Sequence, residues 1–110
     1  MKLAILRFTL ALTASALASA AMAEESGSAK QGFVFAQAIC AECHAVRDGE
    51  RASPNAQAPS FTSVANTRGM NAMMLRVWFQ SPHPTMPNLK ISNQESDDVI
   101  AYILSLRKRQ

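Results

Sequence analysis

The chain's two cysteines stand three positions apart, with one of its two histidines directly behind them, in Cys40-Ala41-Glu42-Cys43-His44. Three chemistries compete for such a string. A redox-active dithiol of the thioredoxin kind needs a strand–helix–strand setting, and no stretch here alternates apolar and polar residues as a strand does. A structural zinc ion needs four ligands, usually supplied by a second Cys or His pair, and His83 is the only further candidate. Covalent haem attachment needs only the string itself. On one helical face Cys40 and Cys43 reach two neighbouring porphyrin vinyl groups, and His44 presents an imidazole nitrogen to the iron. One haem c held by two thioethers is therefore the expected cofactor, and a small chain must be arranged around it.

How small is decided by the N-terminus. Lys2 and Arg7 are the only charges before Glu24, and Phe8–Ala23 runs sixteen residues without one. Ala21-Met22-Ala23 has the small-x-small form of a cleavage site, Ala18-Ser19-Ala20 offers a second, and Glu24-Glu25 begins polar sequence at once. Residues 1–23 read as a secretory signal peptide. The uncharged run falls short of the ~18–20 residues that span a bilayer, so no membrane span is expected after cleavage. No cysteine follows either cut, which excludes a lipid-anchored lipoprotein. The expected location is the periplasm. Residues 24–29 read as a flexible linker and 30–110 as the single domain.

The formal charge of +3 falls to +1 for residues 24–110, which carry nine cations against eight carboxylates. There is no basic stripe interleaved with aromatics, so nucleic acid is not an expected partner. Two cysteines are also too few for a disulfide scaffold. A chain of this size has a small core and commonly adds a staple or cofactor. It is expected to act as a monomer.

Helical periods dominate the rest. Gly32, Phe35, Ala36 and Ile39 share one face of a helix over about 29–39. Residues 46–60 hold Asp48-Gly49, two prolines and many small polar residues, and read as a loop. Phe61–Asn66 suits one or two helical turns. Met70, Met73, Met74, Val77 and Trp78 form an amphipathic stripe expected to be buried. Residues 81–89 contain three prolines and cannot be regular. The last helix opens with Ser92-x-x-Glu95, a capping-box spacing. It buries Val99, Ile100, Ile103, Leu104 and Leu106, and ends in Arg107-Lys108-Arg109, where the helix dipole favours cations. The fold class is all-α.

A sixth iron ligand must come from outside the string. Met70, Met73 and Met74 sit in the helical stripe, where methionine usually fills core space. Met86 lies in Pro84-Thr85-Met86-Pro87-Asn88-Leu89, stiffened by prolines, as a weakly bound thioether requires. Met86 is the expected ligand; His83, which would give a bis-histidine haem, is the alternative.

These landmarks resemble those of bacterial class I c-type cytochromes over residues 30–106. The attachment motif is followed 42 residues after His44 by Met86, and Gly32 stands eight residues before Cys40. The resemblance implies a cytochrome c-like fold of three to five helices around one covalently attached haem. It implies that Gly32 lets the first and last helices cross closely, with Tyr102 as the aromatic packed there. Ala58-Pro59-Ser60-Phe61 is similar to the segment whose proline carbonyl accepts a hydrogen bond from the proximal imidazole, and Trp78 to an aromatic near a haem propionate. The chain departs from the pattern at Ala36, where many members carry a bulky aromatic; Phe33 or Phe35 is expected to compensate.

With His44 and Met86 both on the iron, no position is open for oxygen, peroxide or substrate. Phe61, the methionine stripe, Val77, Leu89 and the last helix are expected to wall the ring from water, which raises the potential. The expectation is a one-electron carrier, not an enzyme, working between protein redox donors and acceptors. The alternatives are a haem subunit or electron-accepting partner of a periplasmic dehydrogenase or oxidase, and a weak haem peroxidase or redox sensor.

Overall fold

Each α-helix among the described residues opens on a serine or asparagine whose side-chain oxygen accepts the amide three residues further on. The computed structural model describes residues 27–82 and 84–108; the expected signal peptide (1–23), His83 and Arg109 lie outside the described residues. Ser28 caps α1 (Ala29–Ala38), Ser60 caps α2 (Phe61–Ala65), Asn71 caps α3 (Ala72–Gln80) and Ser92 caps α4 (Asn93–Ser105). Each cap satisfies an amide that the helix cannot bond internally. A 3₁₀ turn over Cys40–Glu42 follows α1 directly. No strand occurs among the described residues, and the architecture is all-α.

At α4 the capping box is complete. Glu95 N–H donates to Ser92 Oγ, and Ser92 N–H returns a bond to the Glu95 carboxylate at 2.8 Å. Bonds from the Ser92 hydroxyl and backbone hold the Glu95 carboxyl below its ordinary value of 4.5. A carboxyl depressed in the folded state contributes stability that is present above 4.5 and is lost as pH falls through the folded-state value. Thermal melts taken from neutral pH down to about pH 3 should show this loss, and Glu95→Gln should flatten that part of the curve.

The helix pair α1 and α4 makes the most extensive contact, with α2 and α3 packed against α4. Gly32 is the reason α1 can approach: a Cβ there would lie 1.9 Å from the Asp98 carbonyl oxygen and 2.8 Å from Tyr102 Cβ. Gly27 meets α4 as closely, at Asp97. Buried Asp98 then pins the start of α1, its Oδ1 accepting the Ser28 amide at 2.7 Å and the Gln94 side-chain amide at 3.0 Å. Helix α1 thus begins inside the segment 24–29 read as linker. Ala36 is fully buried, Phe33 and Phe35 both pack against the core, and the Phe33 ring lies 5.1 Å from Tyr102.

Two expectations need correction. The stripe on α3 is not the buried face: Met73 is 74% exposed and Val77 57%, and Met74 and Trp78 are also exposed. The buried residue is Leu75, with Ala72 and Phe79 packed beside it. Seven of the nine residues of α3 are apolar, so two stripes satisfy the helical period and periodicity cannot choose between them. The ion pair between Arg76 on α3 and Asp97 on α4 agrees with the orientation adopted. The cations after α4 also act differently. Arg107 lies beyond the helix and donates to the Met70 carbonyl, and Lys108 N–H bonds Asn66. They tie the C-terminus to the α2–α3 connection rather than closing a last helical turn.

Candidate haem site

The turn after α1 shapes the cysteine string. The Cys40 carbonyl accepts both the Cys43 amide at 3.1 Å and the His44 amide at 2.9 Å, which tightens the helix into its 3₁₀ extension. Both cysteines are half-buried free thiols. Desolvation by burial pushes the Cys40 thiol up to about 11.

His44 is held by the loop that follows it. Its Nδ1 lies 2.7 Å from the Pro59 carbonyl oxygen. A carbonyl can only accept, so Nδ1 carries the proton and Nε2 keeps its lone pair for a metal. Three further bonds lace the loop to the same strip of chain. Ala45 N–H donates to Ser53 Oγ at 2.9 Å, Asn55 N–H to the Cys43 carbonyl at 3.1 Å, and Phe61 N–H to the Ala45 carbonyl at 2.9 Å. Tyr102 reaches over from α4, its hydroxyl donating to the Val46 carbonyl at 2.6 Å. Behind the imidazole stands the Phe61 ring, centroid to centroid 5.5 Å, and behind that Tyr102. Sequence reasoning does not find Ser53, Asn55 or the Tyr102 hydroxyl as site groups, because their partners share no spacing pattern with them.

The attachment cysteines, His44, Met86 and the expected packing residues Pro59, Phe61, Trp78 and Leu89 border one cleft of about 440 Å³. Cys40, Cys43 and His44 come from the turn, Pro59 and Phe61 from the head of α2, and Trp78 from α3. Met86 and Leu89 come from the proline-rich segment. Leu75, Phe79 and Ile103 complete its apolar wall, with Leu75 and Phe79 not anticipated. Val77, Met73 and Met74 do not border it, so the expected methionine wall is replaced by Leu75 and Phe79. Trp78 and Leu89 stand partly exposed at the rim.

The cleft falls in the ~300–1,000 Å³ range of cofactor pockets. An apolar wall with two thiols, one imidazole of defined tautomer and one thioether suits a porphyrin with its iron. A second concavity of about 550 Å³ also borders His44 but is lined by neither cysteine nor Met86, and carries Arg47, Glu50 and Arg51 beside small apolar residues. Among the described residues no three His, Cys, Asp or Glu side chains gather as a metal-holding cluster.

A helical bundle closed by the Gly32 crossing, with a cysteine–histidine turn facing such a cleft, is the arrangement of a haem-binding electron-transfer domain. The sequence profile of the family described as Cytochrome c matches residues 29–107, and the chain belongs to that family. It is 38% identical over 98 residues to "Cytochrome c-552" of Bradyrhizobium diazoefficiens (strain JCM 10833 / BCRC 13528 / IAM 13628 / NBRC 14792 / USDA 110). The match covers 89% of this chain and 90% of that protein. No solved structure is matched. The protein is thus an electron-carrier cytochrome whose cofactor is a covalently bound haem c with its iron, and Cys40 and Cys43 have the spacing of the attachment motif.

Proposed function

We propose that the protein is a periplasmic one-electron carrier, not an enzyme, whose haem is bound by thioethers from Cys40 and Cys43. His44 Nε2 and Met86 Sδ would hold its iron, and Pro59, Phe61, Trp78 and Leu89 would pack around it. When bound, the haem supplies an iron that gains and loses one electron. The observation that carries the reading is that His44 and Met86 border the same cleft, with the imidazole already held in the ligating tautomer.

The chain's own part is to fill and shield. With the His44 imidazole and the Met86 thioether both on the iron, a bound haem would have no open position for a reacting substrate. The soft thioether favours the ferrous state, and the apolar wall of Phe61, Leu75, Phe79 and Ile103 disfavours the added ferric charge. Both raise the potential. Trp78 and Leu89 at the rim mark where electrons pass to and from protein redox donors and acceptors. Export by residues 1–23 directs this exchange to the periplasm. No helix among the described residues is long and apolar enough to cross a membrane.

Met86→Ala tests the ligand set. The ferric thioether-to-iron charge-transfer band should disappear, and the reduced variant should bind carbon monoxide, while Met73→Leu and Met74→Leu keep the band. Met86→His should lower the potential, because imidazole stabilises ferric iron better than a thioether. Carbon monoxide binding to the untreated wild-type protein would instead indicate an open iron and favour peroxidase or sensor chemistry.

A further inference from the structure

We propose that Ser53 is a positioning residue for His44: by holding the Ala45 amide it fixes the Pro59 carbonyl against Nδ1 and thereby helps set the reduction potential. The inference rests on the reading of His44 as an axial ligand. The Nδ1···O distance of 2.7 Å is at the short end for an N–H···O bond, whose usual separation is about 2.9–3.0 Å. The two residues are fifteen apart in the chain. A loop that includes Gly49 in the left-handed region, at φ +77, and the ring of Pro54 must therefore return accurately to His44.

Three bonds bring it back, and they anchor on Cys43 and Ala45, the two neighbours of His44. Two are backbone to backbone, Asn55 N–H to Cys43 and Phe61 N–H to Ala45. The third, Ala45 N–H to Ser53 Oγ, alone depends on a side chain. Ala45 is only 3% exposed, so without the serine oxygen a buried amide loses its partner and the loop must move to admit water or another acceptor. Movement there loosens the imidazole's second bond. A histidine that donates strongly from its outer nitrogen is the more basic ligand and favours the ferric state. Weakening that donation should raise the potential.

The test uses the holoprotein. In Ser53→Ala the reduction potential should rise, and solvent exchange of the His44 Nδ1 proton in the reduced protein should quicken roughly three- to tenfold, the scale of one lost hydrogen bond. Ser53→Thr keeps a hydroxyl and should restore both values. Ser53→Cys, nearly isosteric with a weaker acceptor, should fall between them and serves if Ser53→Ala does not load haem. Arg76→Gln, which removes the remote pair with Asp97, should change neither value. That separates positioning from general loss of stability. Wild-type exchange and potential in Ser53→Ala and Ser53→Cys would overturn the proposal. If those variants and the wild type show the histidine–methionine spectrum, the failure belongs to Ser53 alone. A wild type lacking that spectrum would show instead that the ligand assignment has failed.

Discussion

Gly32→Ala should leave little folded holoprotein. The added Cβ would sit 1.9 Å from the Asp98 carbonyl oxygen and 2.5 Å from its carbon, against 3.4–4 Å for ordinary contact. Those atoms are helix backbone, so no flexible side chain can swing aside and α1 must lift from α4. Lifting breaks the most extensive helix contact in the protein. It also strains the Ser28–Asp98 bond and the Phe33–Tyr102 contact that depend on the same crossing. The cost should exceed the ~1–3 kcal/mol typical of overpacking, where side chains absorb part of the change. Gly69→Ala is the control. That glycine has φ +77, and a methyl group added to it would meet nothing within 4 Å, so only backbone strain of about 1 kcal/mol is expected. Denaturant midpoints and haem yield of the two variants should therefore separate widely. A Gly32→Ala protein as stable as Gly69→Ala would mean that the crossing does not hold the fold together.

Cys40→Ala combined with Cys43→Ala should abolish covalent haem altogether. Each single variant should keep one thioether. Acid–acetone extraction and haem staining after denaturing electrophoresis separate the double variant from the rest: wild type retains its haem, the singles retain it through one bond, and the double shows none. A wild-type protein that gives up its haem to solvent would sink the assignment of these two residues. The structural loss should be large as well. Phe61, Leu75 and Ile103 border the cleft while being almost wholly buried, and in so short a chain they are a substantial part of the core. Without a ring filling the cleft, that core must offset about 1–2 kcal/mol of backbone entropy for each ordered residue. The colourless double variant should therefore unfold at much lower denaturant than holoprotein.

Much of this is legible from local spacing. The cysteine–histidine string, the Ser92–Glu95 capping box and the glycine eight residues before Cys40 all act over one or two helical turns, or as single-residue steric conditions. Met86 stands apart from the other five methionines because prolines on both sides take it out of any helix. The chain's order of elements follows from the same kind of evidence, since polar breaks separate one apolar period from the next.

What escapes is whatever depends on residues distant in sequence. Helix α3 is apolar nearly all round, so its period fits either face; packing of Leu75 and Phe79, together with the Arg76–Asp97 pair, distinguishes them. The bond from Ala45 to Ser53, the Tyr102 hydroxyl on Val46 and the clasp of Asp98 on Ser28 leave no spacing signature. The cations after α4 suggest a helix end, yet Arg107 serves the Met70 carbonyl. Sequence alone determined the all-α class, the attachment string and the capping box that opens the last helix, because these follow from contacts within a few residues. Only the tertiary structure decided which helix faces wall the cleft and which side chains hold His44, because a hydrogen bond or packed face between distant segments exists only once the chain has brought them together.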